Sequence, residues 1–111
     1  MRIVFMGTPE FSVPALEALA SSQHDIIAVY SKPPSKRGRG QKVHLSPVHQ
    51  LAKKYQWPTF TPINFTNLTD IEVFESHKAD VAVVAAYGLL LPQVLLSLPI
   101  FGCLSSFLRP Q

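Results

Sequence analysis

A doubly wound parallel α/β sheet is the fold class that this sequence predicts, on three observations. Residues 3–6 (IVFM), 26–30 (IIAVY) and 81–86 (VAVVAA) are short apolar runs, rich in β-branched residues and bounded by turn residues. Runs of that kind read as strands buried on both faces of a parallel sheet. Helical patterns lie between them, and regular alternation of strand and helix implies parallel strands joined by crossovers. Finally, 47% hydrophobic and 15% charged residues over 111 positions describe one core-rich domain and not a disordered chain.

The elements follow in order. After the first strand, Ser12 can cap a helix with Pro14 in its first turn, and Leu16, Leu19 and Ala20 share one face. The second strand leads into a long connection, residues 31–45, with Pro33, Pro34, Gly38 and Gly40, a composition that opposes a helix. Loops of this length in compact domains are usually functional or disordered. Ser46 followed by Pro47 is a clear helix start, and Val48, Leu51, Ala52 and Tyr55 form one apolar stripe. The prolines in residues 57–62 allow only a short or edge strand. Thr69 to Glu72 fits a capping box for a helix carrying Ile71 and Phe74. Beyond the strand at 81–86, residues 92–97 can start another helix and 102–107 another strand.

Composition excludes several classes. The single cysteine, Cys103, cannot close an internal disulfide and lacks a partner for a Cys-x-x-Cys metal site, so a buried structural thiol is expected. His24, His44, His49 and His77 show no metal-ligand spacing, and no metal is expected. The N-terminal apolar run is interrupted at Gly7, Thr8 and Pro9, unlike a signal peptide. No apolar stretch approaches the length of a membrane span. Cytoplasmic location without membrane association is the expectation.

The net charge is +3, and its distribution is more informative. No Asp or Glu occurs between Ile26 and Thr69, while Lys32, Lys36, Arg37, Arg39, Lys42, Lys53 and Lys54 all fall there. The remainder holds three basic residues and all seven acids. Such polarity presents one positive face that attracts polyanions, although a solvated surface has the same composition. Five of the cations crowd residues 32–42 beside two glycines and two prolines. Arginine forks and lysine point charges suit phosphates, and would position RNA without reading its sequence.

Two strand ends are candidate ligand sites. The first runs into Gly7-Thr8-Pro9-Glu10-Phe11, at the carboxyl end of the sheet where α/β proteins bind ligands. One glycine satisfies neither a dinucleotide fingerprint nor a P-loop. The second end runs through Tyr87, Gly88, Leu89, Leu90, Leu91 and Pro92. It could form an apolar slot in which main-chain groups read the edge of a flat heteroaromatic ring. From the residues alone, plain core packing is the favoured alternative. No nucleophile–base pair stands out.

Taken together, several segments resemble the methionyl-tRNA formyltransferase family. They are Arg2 through Phe11, Gly38-Arg39-Gly40, Ser46-Pro47-Val48, Ala79-Asp80-Val81, and Ala86-Tyr87-Gly88 through Pro92, in the family's order and spacing over residues 1 to about 104. The resemblance implies a Rossmann-like, incomplete formyltransferase N-terminal domain over residues 1–111, with the inserted basic loop at 31–45 and the family's C-terminal β-domain absent. It implies formyl transfer from 10-formyltetrahydrofolate, as co-substrate, to the amino group of methionyl-initiator tRNA in translation initiation. On that basis Tyr87, Gly88, Leu89, Leu90 and Pro92 inherit the folate role, and Lys36, Arg37, Arg39 and Lys42 the tRNA role.

One departure from the family is chemical. After Gly102-Cys103-Leu104 the family pattern continues Asn-x-His, and those two residues, with a later aspartate, carry the reaction. Aligned without a gap, Ser105 and Phe107 stand at the two positions; with a short deletion, Ser106-Phe107-Leu108 echoes the family's later Ser-x-Leu and Asn-x-His is lost entirely. Neither Ser105 nor Phe107 can replace an amide and an imidazolium around a tetrahedral oxyanion. No catalytic residue is therefore assigned, and this chain alone is expected to be inactive. Two alternatives remain open: a non-catalytic tRNA- or folate-binding remnant, and a fragment of another folate-dependent formyltransferase.

Overall fold

The computed structural model describes residues 1–37 and 42–105. Five strands form one parallel sheet: β1 (Arg2–Gly7), β2 (Asp25–Tyr30), β5 (Thr59–Phe60), β6 (Val81–Ala85) and β7 (Cys103–Ser105). Their spatial order is β5-β2-β1-β6-β7, and every pairing is parallel. A separate two-stranded antiparallel hairpin, β3 (Ser35–Arg37) with β4 (Lys42–His44), rises after β2. The helices are α1 (Val13–Ala20), α2 (Pro47–Tyr55), α3 (Leu68–Ser76) and α4 (Gln93–Leu96).

The apolar runs behave as expected of strands covered on both faces. In β1, residues Ile3 to Met6 are all buried. Because side chains alternate along a strand, Val4 and Met6 enter one core while Phe5 enters the other. The Phe5 face packs under Leu16 of α1 and Val48 and Ala52 of α2. The opposite face holds Tyr30, Phe74 of α3, Tyr87 and Leu95 of α4. Helices therefore cover both sides of the sheet, the doubly wound arrangement.

Helix starts differ in detail from the sequence expectations. Ser46 caps α2 as expected, its hydroxyl accepting from the His49 N–H at 3.1 Å. Ser12 stands before α1 but gives it no side-chain cap. Its buried hydroxyl donates instead to the Ala85 carbonyl at the end of β6. The capping box at Thr69 is also displaced: Asn67 caps α3, its Oδ1 accepting from the Thr69 N–H at 2.8 Å. Asn67 competes as a strong cap only two residues upstream, and the earlier start still leaves Phe74 buried.

The connection at 31–45 is not simply a loop. Lys36 pairs with Val43 and Arg37 with Lys42 across the hairpin. Residues 38–41, including Arg39, lie outside the described residues. Cys103 is half-buried and not fully so, with its Sγ 3.6 Å from the Leu96 carbonyl oxygen. Burial pushes its thiol pKa up, which disfavours the thiolate.

Candidate functional site

Strand order reverses between β1 and β6. The chain winds from β1 outward through β2 to β5, then returns to lay β6 against the other side of β1. At such a switch point the two connections leave in opposite directions and open a crevice beyond the carboxyl ends of the strands. Gly7 pairs with Ala85 at that edge. The Gly7 and Tyr87 turns therefore stand side by side at the carboxyl end of the sheet.

Side chains from the first turn clamp the second. Thr8 Oγ1 donates to the Tyr87 carbonyl at 2.6 Å, and the Ser12 hydroxyl donates to the Ala85 carbonyl. Between these two anchors, Ala86 holds a left-handed φ of 57°. A non-glycine residue in that region is strained, and persists where its surroundings over-determine it. Gly88 follows with φ 93°, a conformation suited to glycine. Gly7 itself is sterically required: a Cβ there would lie 2.8 Å from both the Ala85 carbonyl oxygen and the Phe5 ring.

Beyond this clamp lies a largely apolar cavity of about 650 Å³. Gly88, Leu89, Leu90 and Pro92 line it, together with Asn64 and Thr66 from the segment before α3. Among the described residues, the main-chain groups of Gly88 to Leu91 have no main-chain hydrogen-bond partner. They remain available to a ligand. Tyr87 differs from its neighbours: its ring is 2% exposed and packs in the core against Phe65, and its hydroxyl has no partner. Burial, with Tyr87 and Asp70 nearby as further contributors for Tyr30 and Asp70 for Tyr87, raises the pKa of both phenols, so neither ionises near neutrality. Tyr87 contributes its backbone to the crevice and its ring to the core.

A second cavity of about 600 Å³ opens on the other side of the first turn. Thr8, Glu10, Lys32, His44 and Gln50 are among its walls. Sequence reasoning did not find Asn64 or Thr66 as site residues, and took Lys32 only as one cation of the basic segment, without its place beside Thr8 and Gly88. Only proximity in the fold joins them, since 24 residues separate Lys32 from the Thr8 that it bonds. Of the four loop cations expected to meet RNA, Lys36, Arg37 and Lys42 belong to the hairpin arms.

Among the described residues, no group of three or more His, Cys, Asp or Glu could hold a metal ion, and no helix is long and apolar enough to cross a membrane. The sequence matches the family model described as formyl transferase over residues 1–106. It is similar to proteins named methionyl-tRNA formyltransferase. That from Allorhizobium ampelinum is 54% identical over 104 residues, 93% of this chain and 32% of the relative. Those from Novosphingobium aromaticivorans and Paracoccus denitrificans are 50% and 52% identical over 105 residues, each match covering 95% of this chain and 35% of the relative. The chain thus spans about a third of the length of the curated relatives it matches. With a parallel doubly wound sheet, a crevice at its switch point and a family match along nearly its whole length, this chain belongs to the formyl transferase family.

Proposed function

We propose that this chain is the folate-side part of a cytoplasmic methionyl-tRNA formyltransferase. It binds 10-formyltetrahydrofolate along Gly88, Leu89, Leu90 and Pro92 with the Tyr87 backbone, and tRNA through Lys36, Arg37, Arg39 and Lys42. The observation that carries the reading is the crevice where the Thr8 turn meets the Tyr87 segment, beside an apolar cavity with unpaired main-chain groups. A flat pterin ring needs apolar faces and edge hydrogen bonds, which such a cavity provides. The hairpin register supports the RNA side. It sets Arg37 and Lys42 at partnered backbone positions.

The expected reaction is attack of the methionyl amine on the formyl carbon. The sequence after Leu104 holds Ser105 and Phe107 where the family pattern has its asparagine and histidine. The chain is accordingly proposed to bind without turning over. Loss of one oxyanion donor alone costs about 2.7–4 kcal/mol of barrier.

Thermal melts with a stable 10-substituted tetrahydrofolate analogue test the cavity. Saturation at 100 times Kd stabilises by roughly 2.7 kcal/mol, a readily measured rise in Tm. Leu90→Glu should abolish the rise without unfolding the chain, because Leu90 is 93% exposed and touches little else. The absence of any shift at saturating analogue would remove the folate assignment. Formyl transfer to charged initiator tRNA above background would overturn the binding-only part.

A further inference from the structure

The far end of α2 carries a feature that neither the folate cavity nor the hairpin uses. The helix closes in a Schellman turn: the Trp57 N–H donates to the Ala52 carbonyl at 3.0 Å, and the Gln56 N–H to the Lys53 carbonyl at 3.1 Å. Gln56 takes φ 64° there, at a position that glycine commonly fills. The reversal folds Trp57 back onto the core around Val48 and Ala52. Tyr55 stacks on the indole, with ring centroids 4.5 Å apart and planes 13° apart. One face of Tyr55 thus lies on Trp57, yet the residue is 47% exposed. Its other face is open to solvent, held in place by a partner that the core anchors.

Cations flank that face. Lys53 and Lys54 precede Tyr55 in the last turn, and both are exposed. They complement the helix dipole, which accounts for their sign but not for the open ring beside them. Lys54 shares a shallow cleft with Glu10, which leaves Lys53 the stronger anion site. From residue 44 to residue 62, Tyr55 is the only exposed large hydrophobic side chain. A membrane surface or an apolar protein interface needs more exposed apolar area than one ring. An acidic peptide would use the lysines and not the ring. An unpaired nucleotide uses both, since every base has a flat face to stack and every phosphate a charge to pair.

We propose that Tyr55 is a stacking platform for an unpaired RNA base, with Lys53 on the adjoining phosphate. The choice of RNA rests on the RNA part of the reading above; the folate part does not enter. The platform is a separate contact. Helix α2 begins beside Ser46, whose hydroxyl pairs with that of Ser31 after β2. Its nine residues carry Tyr55 about 13 Å along the helix axis from that end. Because Trp57 already fixes the Tyr55 ring, stacking a base on it orders little that was mobile.

Trp57 is the only tryptophan of the chain, so its fluorescence reports on the platform itself. The full chain is titrated with a six-nucleotide oligoadenylate and with an abasic ribose-phosphate oligomer of equal length. Oligoadenylate should change the Trp57 emission saturably and bind more tightly than the abasic oligomer by roughly five- to a hundredfold, the effect of one stacked base. Tyr55→Leu keeps apolar cover on the indole without a flat face, and should erase that preference while leaving abasic binding unchanged. Tyr55→Phe should keep the preference. Lys53→Gln should lower the salt slope of oligoadenylate binding by about 0.7, the share of one phosphate on a single strand. Equal binding of the two oligomers, or a preference that survives Tyr55→Leu, overturns the platform. If Arg37→Ala with Lys42→Ala abolishes oligoadenylate binding and Tyr55→Leu leaves it untouched, the hairpin keeps its RNA role and the platform falls. Failure of the chain to bind either oligomer or tRNA overturns both.

Discussion

At the residue scale, small polar side chains do the joining. Thr8 and Ser12 spend their hydroxyls on carbonyls 79 and 73 residues away, across the junction of β1 and β6. His77 plays a comparable part on the other core. Its Nε2 lies 2.8 Å from the Tyr30 hydroxyl, and its ring packs against Phe60 and Phe74. Arg2 donates to the His77 carbonyl and adds a nearby positive charge. Burial first, and Arg2 second, lower the His77 pKa below its ordinary 6.5. The unfolded chain then takes up the proton before the folded one does as pH falls. Stability should therefore decline from about pH 6.5 downward and level off once folded His77 protonates. His49 is shifted the same way, by burial and then by Lys53. Urea titrations between pH 7.5 and 5 should show the decline, and His77→Gln should remove part of it; a slope untouched by that change would discard the assignment.

At the element scale, α2 depends on Ser46 twice. Its hydroxyl caps the helix and also pairs with the hydroxyl of Ser31, which is fully buried beyond β2. Ser46→Ala loses the cap, worth about 1 kcal/mol, and strands the Ser31 hydroxyl, worth about 1–3 kcal/mol. A net loss near 2 kcal/mol, read as a lower urea midpoint at unchanged m-value, is expected. A loss below about 0.5 kcal/mol would mean that neither interaction contributes. The cap of α2 was legible because Ser-Pro is a strong local signal. The caps of α1 and α3 were not: in one the serine is drawn away by a distant carbonyl, and in the other two cap-forming residues lie close together.

At the scale of the whole molecule, charge and apolar surface separate around one crevice. The cation-rich hairpin follows β2 on one side, and the apolar cavity adjoins β6 on the other. If the hairpin binds RNA, Arg37→Ala with Arg39→Ala should weaken tRNA binding. Two lost phosphate contacts should lower the slope of log K against log salt by about 1.8 on duplex RNA, taking the B-DNA coefficient as a guide. An unchanged slope would count against the hairpin. The expectation that residues 87–92 serve as a unit divides on inspection: Gly88 to Pro92 line the cavity, whereas the Tyr87 ring turns into the core. Alternation at a strand end cannot reveal which face a residue takes once φ becomes positive, as it does at Ala86.

The fold class was written in local patterns. Buried strands need continuous apolar runs and covering helices need one apolar stripe, and both can be read along the chain without knowing what lies opposite. The motifs around Gly7 and Tyr87, and the cations of the inserted segment, were likewise plain in the residues. Only the tertiary structure decided that Thr8, Lys32 and Gly88 meet, that Asn64 and Thr66 complete the apolar cavity, and that the Ser12 hydroxyl serves β6 and not its own helix. The reason is physical: these contacts join positions far apart in sequence, and they exist because β6 returns to the side of β1 away from β2, a pairing that no local periodicity encodes.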